Sequence, residues 1–228
     1  MRLSGFVVFN APLVFAVMFT PNQTPLFNAA MQWVNQTYNA GMNYGNRNAS
    51  SEYTTTDLAR GYSAAVVTSV GIALISRTLM AKQLSSLSGP RLILTNAALN
   101  WLAAACAGFA NCALMRQKEL FEGIKVFNQD KSICYGKSIE AGKTALLQTG
   151  FSRVILPLPV LFFPSLTIIG LMRLGIWPLN VTLAKLSELS LCVLSLCVAL
   201  PGSVAMFKQE SMLTREHIDE GMKNLSVD

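Results

Sequence analysis

The residues of this chain best placed to do chemistry are its amides. Over roughly Leu92 to Met115, Asn96, Asn100 and Asn111 fall with Ala103 and Ala107 inside an arc of about 80° on a helical wheel. Leu94, Trp101, Leu102 and Phe109 occupy the opposite side. Amides on a narrow face of small residues are costly against lipid. They predict either bonds to neighbouring helices, worth roughly 1 kcal/mol each, or the lining of a water-filled path. A second set, Asn28, Gln32, Asn35 and Asn39, shares one face of the stretch Thr24 to Tyr44. Phe27, Ala30, Met31, Val34 and Tyr38 recur on another face at helical spacing. Helices lying on a membrane surface ordinarily carry Lys and Arg on the polar side. An amide face suits burial against protein or a wet cavity.

Such groups bind hydroxyl and ammonium groups, and a site without net charge suits a zwitterion. Proline supplies the other half of the chemistry. Pro12, then Pro157, Pro159 and Pro164, then Pro201 with Gly202 interrupt three apolar runs. A broken helix releases backbone groups, and its N-terminal end attracts carboxylates. Glu188 stands at the edge of a run, so no buried acid offers itself as a proton carrier, and facilitated transport or exchange is the simpler expectation. The competing reading is that the prolines only kink packed helices.

These residues need helices to hold them, and the composition says in what medium. Of 228 residues, 52% are hydrophobic and 13% charged, against roughly a quarter charged in average soluble domains. The expected fold is an all-α membrane protein of about five transmembrane or partly broken helices, near 5–20, 57–80, 92–115, 151–174 and 186–207. The first run is short for a crossing and holds Pro12, which fits a broken or re-entrant segment. Thr24 followed by Pro25 is a helix start. Thr54 to Asp57 fits a capping box at the start of the second span. Gly61, Ala65, Ser69 and Ala73 then form a stripe that lets another helix approach closely.

Residues 116–150 read as a polar loop. Ile124 to Phe127 and Ser132 to Tyr135 flank Asn128 to Lys131 as a small hairpin, and Ser138 is the N-cap of a helix that continues into the fourth span. The membrane domain covers 1–207, and 208–228 is a charged tail, helical at the surface. Most Lys and Arg fall on the side of the tail, which would place it in the matrix of a mitochondrion. The start of the chain does not read as a cleaved signal peptide.

Several functions are disfavoured. The net charge of +6 arises from Lys and Arg flanking apolar runs, not from a basic surface interleaved with aromatics, so no nucleic acid is expected. Gly142-Lys143-Thr144 ends like a phosphate-binding loop, but Lys137 stands where its first glycine belongs. The one histidine, His217, lies in the tail, so neither a catalytic triad nor a His/Cys metal site can be built, and no cofactor and no enzyme activity are expected. Cys106, Cys112, Cys192 and Cys197 sit in apolar runs, where a thiol is usually a small buried hydrophobe.

Two stretches resemble the sideroflexin family. Gln32 to Ala40 with Asn43 to Arg47 is similar to its Gln-Trp-x-Asn-Gln-Ser-Phe-Asn block and Asn-Tyr-x-Asn-Arg continuation; Leu114 to Leu120 with Gly123-Ile124 is the other. Ser152-Arg153, Pro159 and Pro164 extend the likeness. The resemblance implies a multi-pass protein of the mitochondrial inner membrane that carries serine, with alanine or cysteine as further substrates. With it, the candidate substrate-binding residues are Asn35, Asn39, Asn96, Asn100, Asn111, Arg116 and Pro159. Asn100→Leu is expected to abolish uptake. The family has an N-terminal portion with a His-Pro-Asp-Thr-Gly motif ahead of Met1 here, so the chain reads as a shortened member. Gly108, Ala113 and Lys125 stand where the family has Asn, Pro and Pro. A shortened member could instead serve as a structural subunit of a large respiratory or ATP-synthase-like complex. A carrier of iron or a haem precursor is the weaker third reading.

Overall fold

The computed structural model describes residues 5–20, 24–47, 53–128, 130 and 132–207. Eight helices and one hairpin follow in the order α1 (Gly5–Phe19), α2 (Pro25–Gly45), α3 (Thr55–Leu84), α4 (Gly89–Met115), α5 (Gln117–Phe121), β1 (Ile124–Phe127), β2 (Cys134–Ser138), α6 (Ile139–Ile155), α7 (Pro157–Arg173) and α8 (Val181–Ala205). The fold is therefore all-α apart from the hairpin. Four stretches are long and apolar enough to cross a membrane: Thr55–Ser76, Gly89–Met115, Ile139–Arg173 and Val181–Ser203. The protein is a multi-pass membrane protein. The charged tail, with His217, lies outside the described residues.

Local chemistry sets the ends. The Thr24 side chain accepts from the Phe27 backbone N–H at 3.1 Å, capping α2. Thr54 and Asp57 close the capping box at α3, each side chain bonding the other's backbone, at 3.2 and 3.1 Å. Ser138 caps α6 through Ala141. α1 is a continuous 15-residue helix containing Pro12, not a broken one. Its Asn10 amide turns back to the Phe6 carbonyl at 2.8 Å, which keeps the polar group satisfied inside the helix.

The small-residue stripe on α3 is the face that meets α4. Ala65 and Ser69 are fully buried there, and Ser69 Oγ donates to the Ala107 carbonyl at 2.9 Å. A Cβ added at Gly61 would stand 3.2 Å from the Leu114 carbonyl oxygen. The two backbones approach because these side chains are small. Ala40, Ala65 and Met115 form one core where α2, α3 and α4 meet. Phe6, Leu156, Leu196, Ala199 and Leu200 form another, joining α1 and α8 to the break between α6 and α7.

The hairpin pairs Ile124 with Ser138 and Phe127 with Cys134. Its second strand starts later than the pattern at Ser132 suggests. The cause is Asn128: its Oδ1 accepts from the Ile133 N–H at 3.0 Å and its amide donates to Ser132 Oγ at 2.8 Å. These bonds spend Ser132 and Ile133 on the turn. The described residues of 116–150 are also more regular than a loop, because α5 and α6 pack on one another. Gly142 lies so close to the Glu119 backbone that no side chain fits between them.

The apolar helix 139–173 is 35 residues long, more than a bilayer core requires. It breaks at Leu156, ahead of Pro157 and Pro159. Of the cysteines in apolar runs, Cys112 is buried, Cys192 is half-buried, and Cys106 and Cys197 are exposed on the outer surface. A thiol is apolar enough for either place.

Candidate substrate site

Several of the buried polar groups, Gln36, Asn43, Asn111, Arg116 and Glu119, gather around the C-terminal end of α4. Asn111 is fully buried. Its Oδ1 accepts from Asn43 Nδ2 at 2.9 Å, and its own amide donates to the Gln36 carbonyl at 3.1 Å and toward Gln36 Oε1 at 3.4 Å. Gln36, Ala40 and Asn43 are all buried and stand at helical spacing on α2. Across from them, Arg153 of α6 donates from Nη2 to Asn43 Oδ1 at 3.0 Å. The result is a directed chain of donors, Arg153 to Asn43 to Asn111 to Gln36, that joins three helices.

Helix packing explains why this cluster forms. The stripe through Tyr38 turns toward α1, where Phe9 stacks on Tyr38 with ring centroids 4.0 Å apart. The face about half a turn away, through Gln36, Ala40 and Asn43, then has to meet α3 and α4. Trp101 Nε1 donates to the Val154 carbonyl at 2.9 Å, which fixes α4 against the end of α6. Gly150 admits the Phe109 ring between them; a Cβ there would lie 2.5 Å from Phe109 Cε2.

A turn below Asn111 the chemistry becomes ionic. Arg116 donates to both carboxylate oxygens of Glu119, at 2.8 Å from Nε and 2.7 Å from Nη2, and from Nη1 to Thr149 Oγ1 at 2.8 Å. Burial opposes the charge of Arg116, but the bonds to Glu119 and its charge outweigh burial, and the guanidinium pKa is raised. Close by, Arg47 stacks over Tyr44 at 3.8 Å from the ring centroid. The Tyr53 phenol is pushed up to about 12, first by burial and then by the Glu119 carboxylate. Lys118 reaches Asp57 at 2.8 Å and so links α5 to the start of α3.

The residues singled out from the sequence divide into groups. Asn111 and Arg116 are buried near one another. Asn35 and Asn39 are half-buried on α2, and Pro159 is half-buried in the first turn of α7. Asn96 and Asn100 are exposed, and Asn100 Nδ2 donates to Asn96 Oδ1 at 2.9 Å on the outer surface. They share a face with Asn111, but of the three only Asn111 is covered by neighbouring helices. Gln36, Asn43 and Arg153 complete the cluster and were not among the sequence candidates. Their signal was the i, i+4, i+7 spacing of Gln36, Ala40 and Asn43, which places two amides on a stripe with a small residue between them.

Comparison with known proteins finds relatives along nearly the whole chain. The family model for sideroflexins matches residues 1–227. Sideroflexin-5 of Homo sapiens is 32% identical over 218 residues, covering 96% of this chain and 63% of the human protein. Sideroflexin-5 of Caenorhabditis elegans is 33% identical over 219 residues, and the sideroflexin of Dictyostelium discoideum 29% over 229, covering 96% and 98% of this chain and 65% and 67% of those proteins. The chain thus spans about 63% of the length of the human relative. No solved structure matches. Since the match runs from one end to the other and takes in Gln36, Asn43, Asn111 and Arg153 alike, the chain belongs to the sideroflexin family.

Proposed function

We propose that this protein carries small neutral amino acids, serine foremost, across the mitochondrial inner membrane by facilitated transport or exchange. The observation that carries the reading is the buried amide cluster of Gln36, Asn43 and Asn111 with Arg153, set among helices that can cross a membrane. Polar groups inside such a bundle are costly unless they bond one another or a solute. Amides with one guanidinium match the hydroxyl, ammonium and carboxylate of serine. The break at Leu156, ahead of Pro157 and Pro159, stands beside the cluster and supplies released backbone groups. Asn35, Asn39 and Pro159 complete the proposed path, and family membership supports a carrier role.

The test is uptake of labelled serine into liposomes containing this chain alone, with unlabelled serine and alanine as competitors. Saturable, competed uptake is expected. No uptake by folded, inserted protein would remove the carrier reading for this chain.

One observation favours a second reading, a non-transporting subunit of a large mitochondrial membrane complex. The Asn96–Asn100 pair presents amides on an outer face, where a protein neighbour would satisfy them better than lipid. That reading expects co-purification with a large complex from native membranes.

A further inference from the structure

Among the cations of the cluster, Arg153 differs from Arg116 in its partners. The Arg116 guanidinium is neutralised by the bidentate carboxylate of Glu119. Arg153 has no ion pair with a described residue; its bond to the protein is the one from Nη2 to the neutral oxygen of Asn43. Its Nε is buried and has no hydrogen-bond partner. A guanidinium stays charged at any physiological pH and offers five N–H donors in a plane. A buried charge without a counter-ion is strongly disfavoured. The edge of the fork that includes Nε is the geometry that takes a carboxylate with two parallel bonds.

The amides near it cannot play that part. Asn43 Oδ1 already accepts from Arg153, and Asn111 Oδ1 is taken by Asn43. The donor chain runs away from Arg153, so the two amides next to it supply no anionic acceptor. The backbone of the same turn has the opposite need. Pro157 and Pro159 lack an N–H, so the carbonyls of Arg153 and Ile155 are without the donor four residues further on. The Arg153 carbonyl faces Gly108 of α4, where even an added Cβ would stand 3.7 Å away. One turn therefore holds an unneutralised cation and released acceptors, the complement of a zwitterion.

We infer that Arg153 is the residue that receives the α-carboxylate of the transported amino acid, so that a free carboxylate is what the site requires of a substrate. This rests on the carrier reading for its substrate class, but binding at Arg153 is measurable without transport. The purified full chain is treated with butane-2,3-dione, a small arginine reagent, and modification of Arg153 is followed by peptide mass spectrometry. Serine uptake is measured in parallel. Serine and alanine are expected to slow modification of Arg153 by at least about tenfold when saturating. Serinamide and ethanolamine, which keep the ammonium and lack the carboxylate, are expected to leave it unchanged. Arg153→Gln is expected to lose serine uptake while retaining the oligomeric state and melting behaviour of a folded chain, and Arg153→Lys to recover part of it.

Protection without uptake would leave the carboxylate site standing and remove the carrier reading. Uptake with Arg153 unmodified, or modified at a rate that serine does not change, would overturn the assignment and leave the carrier. Protection by serinamide equal to that by serine would overturn it as well. Neither protection nor uptake would end both.

Discussion

Asn43 Nδ2 donates to Asn111 Oδ1 at 2.9 Å across 68 positions of sequence, and this bond fastens the end of α2 to the end of α4. Both side chains are buried, so neither can exchange its partner for water. Asn111→Leu would orphan the Asn43 amide N–H and remove the second donor from the Gln36 carbonyl, which keeps its bond within α2. An orphaned group costs about 1–3 kcal/mol. The expected result is a lower melting temperature in detergent and serine uptake reduced by about tenfold or more. A variant with unchanged melting and uptake would show that the bond holds neither the fold nor the site.

The Arg116–Glu119 pair predicts a different pattern. Removing one partner of a buried pair leaves an uncompensated charge and costs about 3–5 kcal/mol, whereas an apolar replacement of both is often neutral. Arg116→Met alone should therefore destabilise the chain more than Arg116→Met combined with Glu119→Leu. Denaturation of the three proteins in one detergent decides it; equal losses would mean that the pair is not coupled.

Two glycines should respond with opposite signs. A Cβ at Gly142 would run into the Glu119 backbone, which cannot step aside. A Cβ at Gly71 meets nothing within 4 Å. Gly142→Ala is expected to abolish folded expression. Gly71→Ala is expected to stabilise α3 by up to about 1 kcal/mol, the ordinary helix preference. Expression level and melting temperature report both.

Asn100 and Asn111 share a helix face but not an environment. Asn100 is exposed and bonded to Asn96, and Asn111 is enclosed. In liposomes holding this chain alone, Asn100→Leu is expected to keep uptake within about twofold, since exposed substitutions usually have small effects. Loss of uptake would show that the outer face serves transport, through a second copy or directly.

Tyr53 gives the pH dependence. Its hydroxyl is buried without a hydrogen-bond partner, and its pKa is raised to about 12. A raised folded-state pKa means that the folded protein holds the proton longer than the unfolded one. The stability tied to that proton is complete below about pH 10 and is lost as pH rises from there through about 12. Tyr53→Phe removes the unpaired hydroxyl, so it should be neutral or stabilising at pH 7 and should flatten the loss at high pH. Absorbance titration of the phenols alongside melting curves checks both; a normal titration of Tyr53 would contradict the burial.

Local rules made much of this protein legible. Thr24, Thr54 and Ser138 start the helices they were expected to start, because capping is a bond within one turn. The spacing of Gly61, Ala65 and Ser69 marks the face on which α3 meets α4, because small residues alone permit that approach. The blocks around Gln36, Asn43 and Arg116 carry the family likeness. Periodicity also put Asn96, Asn100 and Asn111 on one face, correctly as an angle. It could not say how far along that face a neighbouring helix would lie, since coverage depends on where α2 and α6 end in space. For the same reason Gln36, Asn43 and Arg153 emerged as one site only in three dimensions: a hydrogen bond between helices depends on their crossing, and no spacing within a single helix encodes it.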